Sequence, residues 1–299
     1  MESIGVIGLG RMGQAIAYRL QQAGYNVIGF DQNNDIRRTA QQSGISCVDD
    51  ARDIAKQARI VWLMVPAGDA VDDVLARIDG VLKQADIVID GGNSFFKDTL
   101  RRYQKLTTQG IAYLDCGTSG GLYGKERGFS LMVGGDKVVF EKAIPIFKAI
   151  AAESGYAYIG PSGSGHFVKM VHNGIEYGMM QAMAEGFHLL HEGPFKDLDL
   201  ETIAAVWNHG AIVRSWLLEL VQEIMSRGQE LENISGAVGE NLTGQWMVKT
   251  AKEQGIPVNV IEQAVSVRSW SRQTGGNYGT KLVAMLRHQF GGHEIKKNK

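Results

Sequence analysis

The 299-residue chain is 44% hydrophobic and 21% charged, enough apolar material for two domains with separate cores. A net charge of −1 and an isoelectric point near 6.7 argue against an electrostatic grip on nucleic acid or an anionic membrane. No apolar run is long enough to span a bilayer, and Met1-Glu2-Ser3 opens no leader, so a cytoplasmic setting is expected. Cys47 and Cys116 fit no disulfide framework or paired metal motif; both are expected as buried free thiols, and no metal is expected.

Residues 1 to about 160 alternate short apolar runs with amphipathic stretches. The runs are Ile4–Ile7, Val27–Phe30, Ile60–Val65, Ile87–Ile89, Ala112–Leu114, Ser130–Val133 and Tyr156–Ile159. Helix-like segments such as Met12–Gln22, Ala70–Val81 and Phe95–Gln109 separate most of them. Continuous apolar strands joined by helices predict a parallel sheet covered on both faces. Right-handed crossovers make that an α/β, doubly wound, Rossmann-type domain. At Gly160-Pro161-Ser162-Gly163-Ser164-Gly165 a turn cluster intervenes, with Ser162 or Ser164 available as a helix cap. Beyond it no strand pattern recurs: 166–192, 199–209, 211–227, 237–254, 258–272 and 277–289 read as helices. The reading therefore gives an α/β domain over 1–163 and an all-α domain over 164–299. The polar tail Glu294–Lys299 is expected to fray.

Ile4–Ile7 runs directly into Gly8-Leu9-Gly10-Arg11-Met12-Gly13, and a helix follows. A GxGxxG alone is weak evidence, but strand before and helix after is the context it requires. The first glycine permits the turn, the second admits a pyrophosphate, and the third lets helix and strand pack closely. The phosphates then rest on the helix N-terminus. A glycine-rich structural turn is the alternative. The second run ends at Asp31, 18 residues beyond Gly13, where a carboxylate accepts ribose hydroxyls and repels a 2′-phosphate. Asp31 thus points to NAD over NADP. Arg37 and Arg38 could accommodate the extra phosphate, and are otherwise solvated helix positions. The segments Met64-Val65-Pro66-Ala67-Gly68 and Asp90-Gly91-Gly92-Asn93-Ser94 also follow strands at their carboxyl ends. Val65, Pro66 and Asn93 are candidate contacts for nicotinamide and substrate, with ordinary turn chemistry as the alternative.

Lys169, His172, Asn173, Glu176 and Tyr177 recur at i, i+3, i+4, i+7 and i+8, one face of a helix whose other residues are apolar or glycine. A surface helix shows the reverse pattern. The segment reads either as a buried helix facing a polar cleft or as a solvated face with paired side chains. In the first case Lys169 and Glu176 form an acid/base pair about 10 Å apart along the axis. Gly117-Thr118-Ser119-Gly120-Gly121 supplies a hydroxyl and amides suited to a carboxylate, though a flexible loop would look the same.

With these motifs together, the chain resembles the decarboxylating 6-phosphogluconate dehydrogenases. GLGRMG, DGGNS at 90–94, GTSGG at 117–121, KMVHNGIEY at 169–177 and Arg287-His-Gln-Phe-Gly-Gly-His293 carry the resemblance. The wider β-hydroxyacid dehydrogenase group shares the glycine loop, the SGG loop and the lysine, but neither HNxxEY nor the tail. The length resembles the family's short form, in which the helical domain is truncated. The resemblance implies oxidation of 6-phosphogluconate by NAD, with loss of CO2 to give ribulose 5-phosphate. Lys169 would take the C3 hydroxyl proton and return it to the keto oxygen as CO2 leaves; Glu176 would protonate C1 of the enediol. A base of this kind is neutral at working pH, which burial favours. Asn93, Ser119, Gly120, Gly121, His172 and Asn173 would hold the carboxylate and hydroxyls, and Tyr177 and Arg268 the phosphate. Arg287 and His293 would reach a neighbouring subunit's site, which implies a homodimer or homotetramer.

One motif departs. Where the family has a basic residue before Trp and a Thr after it, this chain has Gln245 and Met247 around Trp246. That removes a charge and a hydroxyl from the phosphate site, implying a weaker KM or a related sugar acid unless Lys249, one turn on, compensates. Two rival readings remain at the level of sequence: a 3-hydroxy acid dehydrogenase or aldehyde reductase without decarboxylation, and an NAD-binding sensor without turnover. His172, Glu176 and the tail count against the first, and the intact Lys169 and Glu176 against the second.

Overall fold

The computed structural model describes residues 3–296; residues 297–299 of the expected frayed tail lie outside them. The chain divides into two compact units, Met1–Met170 and Val171–Lys299. The first contains β1 (Ser3–Ile7), α1 (Arg11–Gln22), β2 (Asn26–Phe30), α2 (Asn34–Gln42), β3 (Ser46–Cys47), α3 (Ala51–Gln57) and β4 (Ile60–Leu63). It continues with α4 (Asp69–Ile78), β5 (Ile87–Asp90), α5 (Phe96–Thr107), β6 (Ala112–Ser119), α6 (Gly124–Arg127), β7 (Phe129–Gly135), α7 (Lys137–Ile150) and β8 (Ala151–Gly160). Helix α8 (Ser164–Glu192) spans the division. The second unit continues with α9 (Leu200–Asn208), α10 (Trp216–Met225), α11 (Thr243–Glu253), α12 (Asn259–Thr274) and α13 (Tyr278–Gly291).

The eight strands form one sheet in the order β3-β2-β1-β4-β5-β6-β7-β8. Its inner strands are apolar on both faces for a visible reason. Ile4 and Val6 of β1, Ile60 and Trp62 of β4, and Ile87 and Ile89 of β5 enter one buried cluster. Their neighbours Ile7, Val61, Leu63 and Val88 enter a second. Strand side chains alternate faces, so a sheet covered on both sides needs an unbroken apolar run. The order reverses between β1 and β4, which places the β1–α1 loop beside the β4–α4 loop at a topological switch point.

Three features depart from the sequence reading. β3 is only two residues long, pairing Ser46 and Cys47 with β2, and is too short to leave a periodic signal. Cys47 within it is half-buried, whereas Cys116 is fully buried. β6 pairs antiparallel with β7 in an otherwise parallel sheet. The link between them is too short for a crossover, so the chain turns back on itself. β6 also runs through Ser119, so Gly117 and Thr118 are strand rather than loop; only Gly120 and Gly121, at φ 136° and 53°, make the turn. In the second unit, the six helical segments appear where the periodicity put them, shortened at several ends.

A buried polar network ties the loops after β4 and β5. Arg102 of α5, 2% exposed, donates to both carboxylate oxygens of Asp72, to the Gly68 carbonyl and to Ser94 Oγ. The fully buried Asp90 accepts from Gly92 N–H, the Ser94 hydroxyl and the Tyr113 hydroxyl, at 3.1, 2.7 and 3.0 Å. The guanidinium of Arg102 lies 3.8 Å from Asp90. Arg102→Met keeps the aliphatic bulk but strands a buried carboxylate without its cation. The unfolding free energy is expected to fall by about 3–5 kcal/mol, read from denaturant midpoints; a loss below about 1 kcal/mol would match an exposed pair and contradict this role.

Candidate active site

In the first unit the three glycines of the β1–α1 loop have separate tasks. Gly8 has φ 93°, and a Cβ there would lie 2.4 Å from the Met64 carbonyl oxygen. A Cβ on Gly13 would lie 1.9 Å from the Gly8 carbonyl oxygen, so only glycine lets α1 close onto β1. Gly10 is different: a Cβ there would meet nothing within 4 Å. It is also the N-cap of α1, and no side chain caps that helix. An open glycine ahead of an uncapped helix N-terminus fits a pyrophosphate. Leu9 contributes backbone alone, since its side chain is wholly buried; Met12 packs on the same core.

Asp31 stands at the end of β2 against this loop. One carboxylate oxygen accepts the Leu9 N–H at 2.8 Å and the other the Asn33 N–H at 2.9 Å. Each oxygen retains acceptor capacity for a ribose hydroxyl. Arg37 is not the solvated residue the sequence implied. It donates to the Asp31 carbonyl at 2.7 Å, pairs with Asp49 at 3.2 Å and lies over the Phe30 ring. Arg38 is exposed and pairs with Asp35. Val65 packs beside Gly8, and Pro66 is exposed next to it. Asn93 is exposed while its neighbours Gly92 and Ser94 are buried in the Asp90 network, so the loop is fixed and its amide presented.

The β6 strand and the first turn of α8 meet with almost nothing between their backbones. A Cβ on Gly165 would lie 2.4 Å from the Met132 carbonyl oxygen and 2.7 Å from that of Asp115. A Cβ on Gly117 would lie 2.5 Å from Lys169 Cβ. Lys169 therefore stands directly over the strand that ends in Ser119, and it is only 6% exposed. Ser119 is half-buried at that strand end, followed by Gly120 and Gly121 in the turn. Asp115 and His166, which the sequence reading passed over, hold this contact. Asp115, fully buried, accepts the Gly163 and His166 N–H groups at 2.8 and 2.9 Å. A strand carboxylate thus caps the helix that carries the lysine. A lone aspartate in an apolar strand was the available signal.

In the second unit, Asn173 and Tyr177 are buried, while His172 and Glu176 are half-buried and 3.8 Å apart. The apolar back of α8 is what reaches the surface, with Ile175 at 51% and Met179 at 39% exposure. Tyr177 donates to Asn241 Oδ1 at 2.5 Å, an oxygen that also accepts the Thr243 hydroxyl. Arg268 lies over the Tyr177 ring, 3.2 Å from its centroid. Arg268 is 2% exposed, and its two terminal nitrogens have no hydrogen-bond partner among the described residues. Burial pushes its guanidinium down to about 10, so it remains a cation at neutral pH. Arg287 is 6% exposed, lies against Gly239, and repels Arg268 of the same chain.

Arg287 sits on α13, which packs on α10 and α12. His293 follows on the turn after α13, half-buried and edge-on to Phe290. Gln245 and Met247, the residues that depart from the family motif, have partners of their own. Gln245 donates to Glu240, itself paired with Arg272, and Met247 is buried against Gly174. Lys249 is exposed; the Tyr177 hydroxyl goes instead to Asn241, whose Oδ1 it shares with Thr243.

A dinucleotide loop with an acidic ribose partner, beside a buried lysine over a serine-ended strand, defines an NAD-binding oxidoreductase. Residues 3–160 match the NAD binding domain of 6-phosphogluconate dehydrogenase, and 165–297 match the 6-phosphogluconate dehydrogenase C-terminal domain. The chain belongs to the 6-phosphogluconate dehydrogenase family. It is 46% identical to an NAD(+)-dependent, decarboxylating 6-phosphogluconate dehydrogenase of Haloferax volcanii, with 98% of each chain covered. It is 40% identical to a putative 6-phosphogluconate dehydrogenase, YqeC, of Bacillus subtilis, covering 98% of this chain and 99% of that one. A solved 6-phosphogluconate dehydrogenase of Plasmodium falciparum superimposes with a TM-score of 0.81 at 29% identity, covering 96% of this chain and 64% of that one.

If Asp31 sets the choice of dinucleotide, Asp31→Ala should lower kcat/KM for NAD and narrow its advantage over NADP by on the order of tenfold, the loss of one charge-assisted hydrogen bond. An unchanged ratio of the two kcat/KM values would refute the assignment.

Proposed function

We propose that the chain catalyses the NAD-dependent oxidative decarboxylation of 6-phosphogluconate to ribulose 5-phosphate and CO2. The observation that carries this reading is the unsatisfied guanidinium of Arg268, buried beside Arg287 and Tyr177. Buried polar groups normally find a partner, and two buried cations side by side call for a dianion. A terminal phosphate supplies it. A small 3-hydroxy acid has no group to fill the open Arg268 donors.

The remaining roles follow from the helix. The carboxylate and hydroxyls fall to Asn93, Ser119, Gly120, Gly121, His172 and Asn173, and the phosphate to Tyr177, Arg268 and Arg287. NAD, when bound, supplies the hydride acceptor for C3. Lys169 takes the C3 hydroxyl proton; the C1–C2 electron pair then flows into the new carbonyl as CO2 departs, and Lys169 returns the proton to the oxygen. Glu176, two turns along α8, protonates C1 of the enediol (the former C2 of the substrate) as Lys169 takes the proton back from the neighbouring enol oxygen to leave the ketone, with His172 beside Glu176 to orient its carboxyl. Oxidation creates the electron sink that decarboxylation needs. We also place the working enzyme as a homodimer or homotetramer, with the exposed Ile175 and Met179 of α8 and Val260 and Trp270 of α12 available for its interface and His293 at a shared site. Light scattering should give that mass; a monomer that turns over at full rate would exclude it.

Lys169→Met should abolish NADH formation from 6-phosphogluconate. Glu176→Gln should slow turnover while leaving the substrate KM near its original value. Arg268→Met should raise the KM for 6-phosphogluconate by on the order of 10–100-fold, the worth of a buried charge-assisted contact, and leave any activity on unphosphorylated gluconate unaffected. Equal losses on both substrates would remove the phosphate assignment.

A further inference from the structure

Lys169 stands at the start of a long helix, so its position depends on how that helix is seated. His166, one turn earlier, is 1% exposed and bridges two other elements. Its Nε2 lies 3.1 Å from the Asp90 carbonyl oxygen and its Nδ1 lies 2.7 Å from the Thr99 hydroxyl. A carbonyl can only accept, so Nε2 carries a proton; Nδ1 pairs with the Thr99 hydroxyl, which also reaches the Phe95 carbonyl at 3.3 Å. Asp90 is the same residue whose carboxylate organises the loop that presents Asn93. Its backbone and its side chain thus face two different catalytic components.

We propose that His166 is a positioning residue: together with the Asp115 cap, it fixes Lys169 relative to the Asn93 loop. The Asp115 carboxylate sets the height of α8 over β6 through the Gly163 and His166 N–H groups. The imidazole sets the rotation of that first turn, since it holds β5 through Asp90 and α5 through Thr99. Bare backbone contact at Gly117 and Gly165 alone would leave the helix free to slide by a fraction of an ångström. Proton and hydride transfer do not tolerate such a slide, because displacements of about 1 Å cost on the order of 100-fold in rate. The inference rests on Lys169 being the base.

The test uses the full chain with 6-phosphogluconate and NAD. His166→Phe removes both ring hydrogen bonds, and His166→Gln keeps a donor for the Asp90 carbonyl. The readouts are kcat, both KM values, the deuterium isotope effect for substrate labelled at C3, and the melting temperature. His166→Phe should lower kcat by on the order of 10–100-fold with the KM for NAD within about twofold. The isotope effect on kcat should grow as transfer becomes slower than product release, and His166→Gln should recover most of the loss. If His166→Phe does not fold, Thr99→Val removes one partner alone and should show a several-fold loss with the same rise in isotope effect. A folded His166→Phe, or Thr99→Val, with wild-type kcat and isotope effect would overturn the positioning role. A Lys169→Met enzyme that still turns over would instead overturn the identity of the base.

Discussion

Helix α8 begins where a fully buried carboxylate, Asp115, meets the helix's own N–H groups, and the packing around Lys169 depends on that meeting. A buried carboxylate costs several kcal/mol unless its lone pairs are filled. Here two N–H groups at 2.8 and 2.9 Å and the positive end of the helix fill them. Glycine at 117 and 165 removes the side chains that would hold strand and helix apart. The consequence is geometric: Lys169 rises over β6 at Gly117.

Two buried arginines show how structural and ligand-binding charges are told apart. Arg102 is surrounded by acceptors: Asp72, the Gly68 carbonyl, Ser94 and, at 3.8 Å, Asp90. It is satisfied within the protein and stabilises the loops after β4 and β5. Arg268 is equally buried, yet its terminal nitrogens have no acceptor among the described residues. Its neighbours are an aromatic face and, within electrostatic reach, Arg287, Glu176 and Glu240. The first arrangement is complete; the second keeps open donors, which the proposed function assigns to the substrate phosphate.

Much of this was legible in the sequence, for reasons that differ by residue. The glycine loop could be read because backbone geometry demands glycine at 8 and 13, whatever surrounds them. The stripe from Lys169 to Tyr177 could be read because polar residues at helical spacing contradict an otherwise apolar segment. The eight-strand sheet was legible except at β3, which is too short to repeat, and at β6–β7, whose direction depends on the length of a link rather than on strand composition. Asp115 and His166 were not legible as functional positions. Their roles come from partners 48 to 76 residues away, and no local pattern encodes such separations. Gln245 was legible as a lost charge before Trp246, but its partner Glu240, set by the fold, was not.

In the proposed function, a buried lysine and two buried arginines serve oxidative decarboxylation of a phosphorylated sugar acid. 6-Phosphogluconate labelled with carbon-13 at C1, incubated with the full chain and NAD, tests this when NADH and labelled CO2 are counted together. One CO2 is expected for each NADH, with the label wholly in the gas. NADH without labelled CO2 would make the chain a simple dehydrogenase and exclude oxidative decarboxylation.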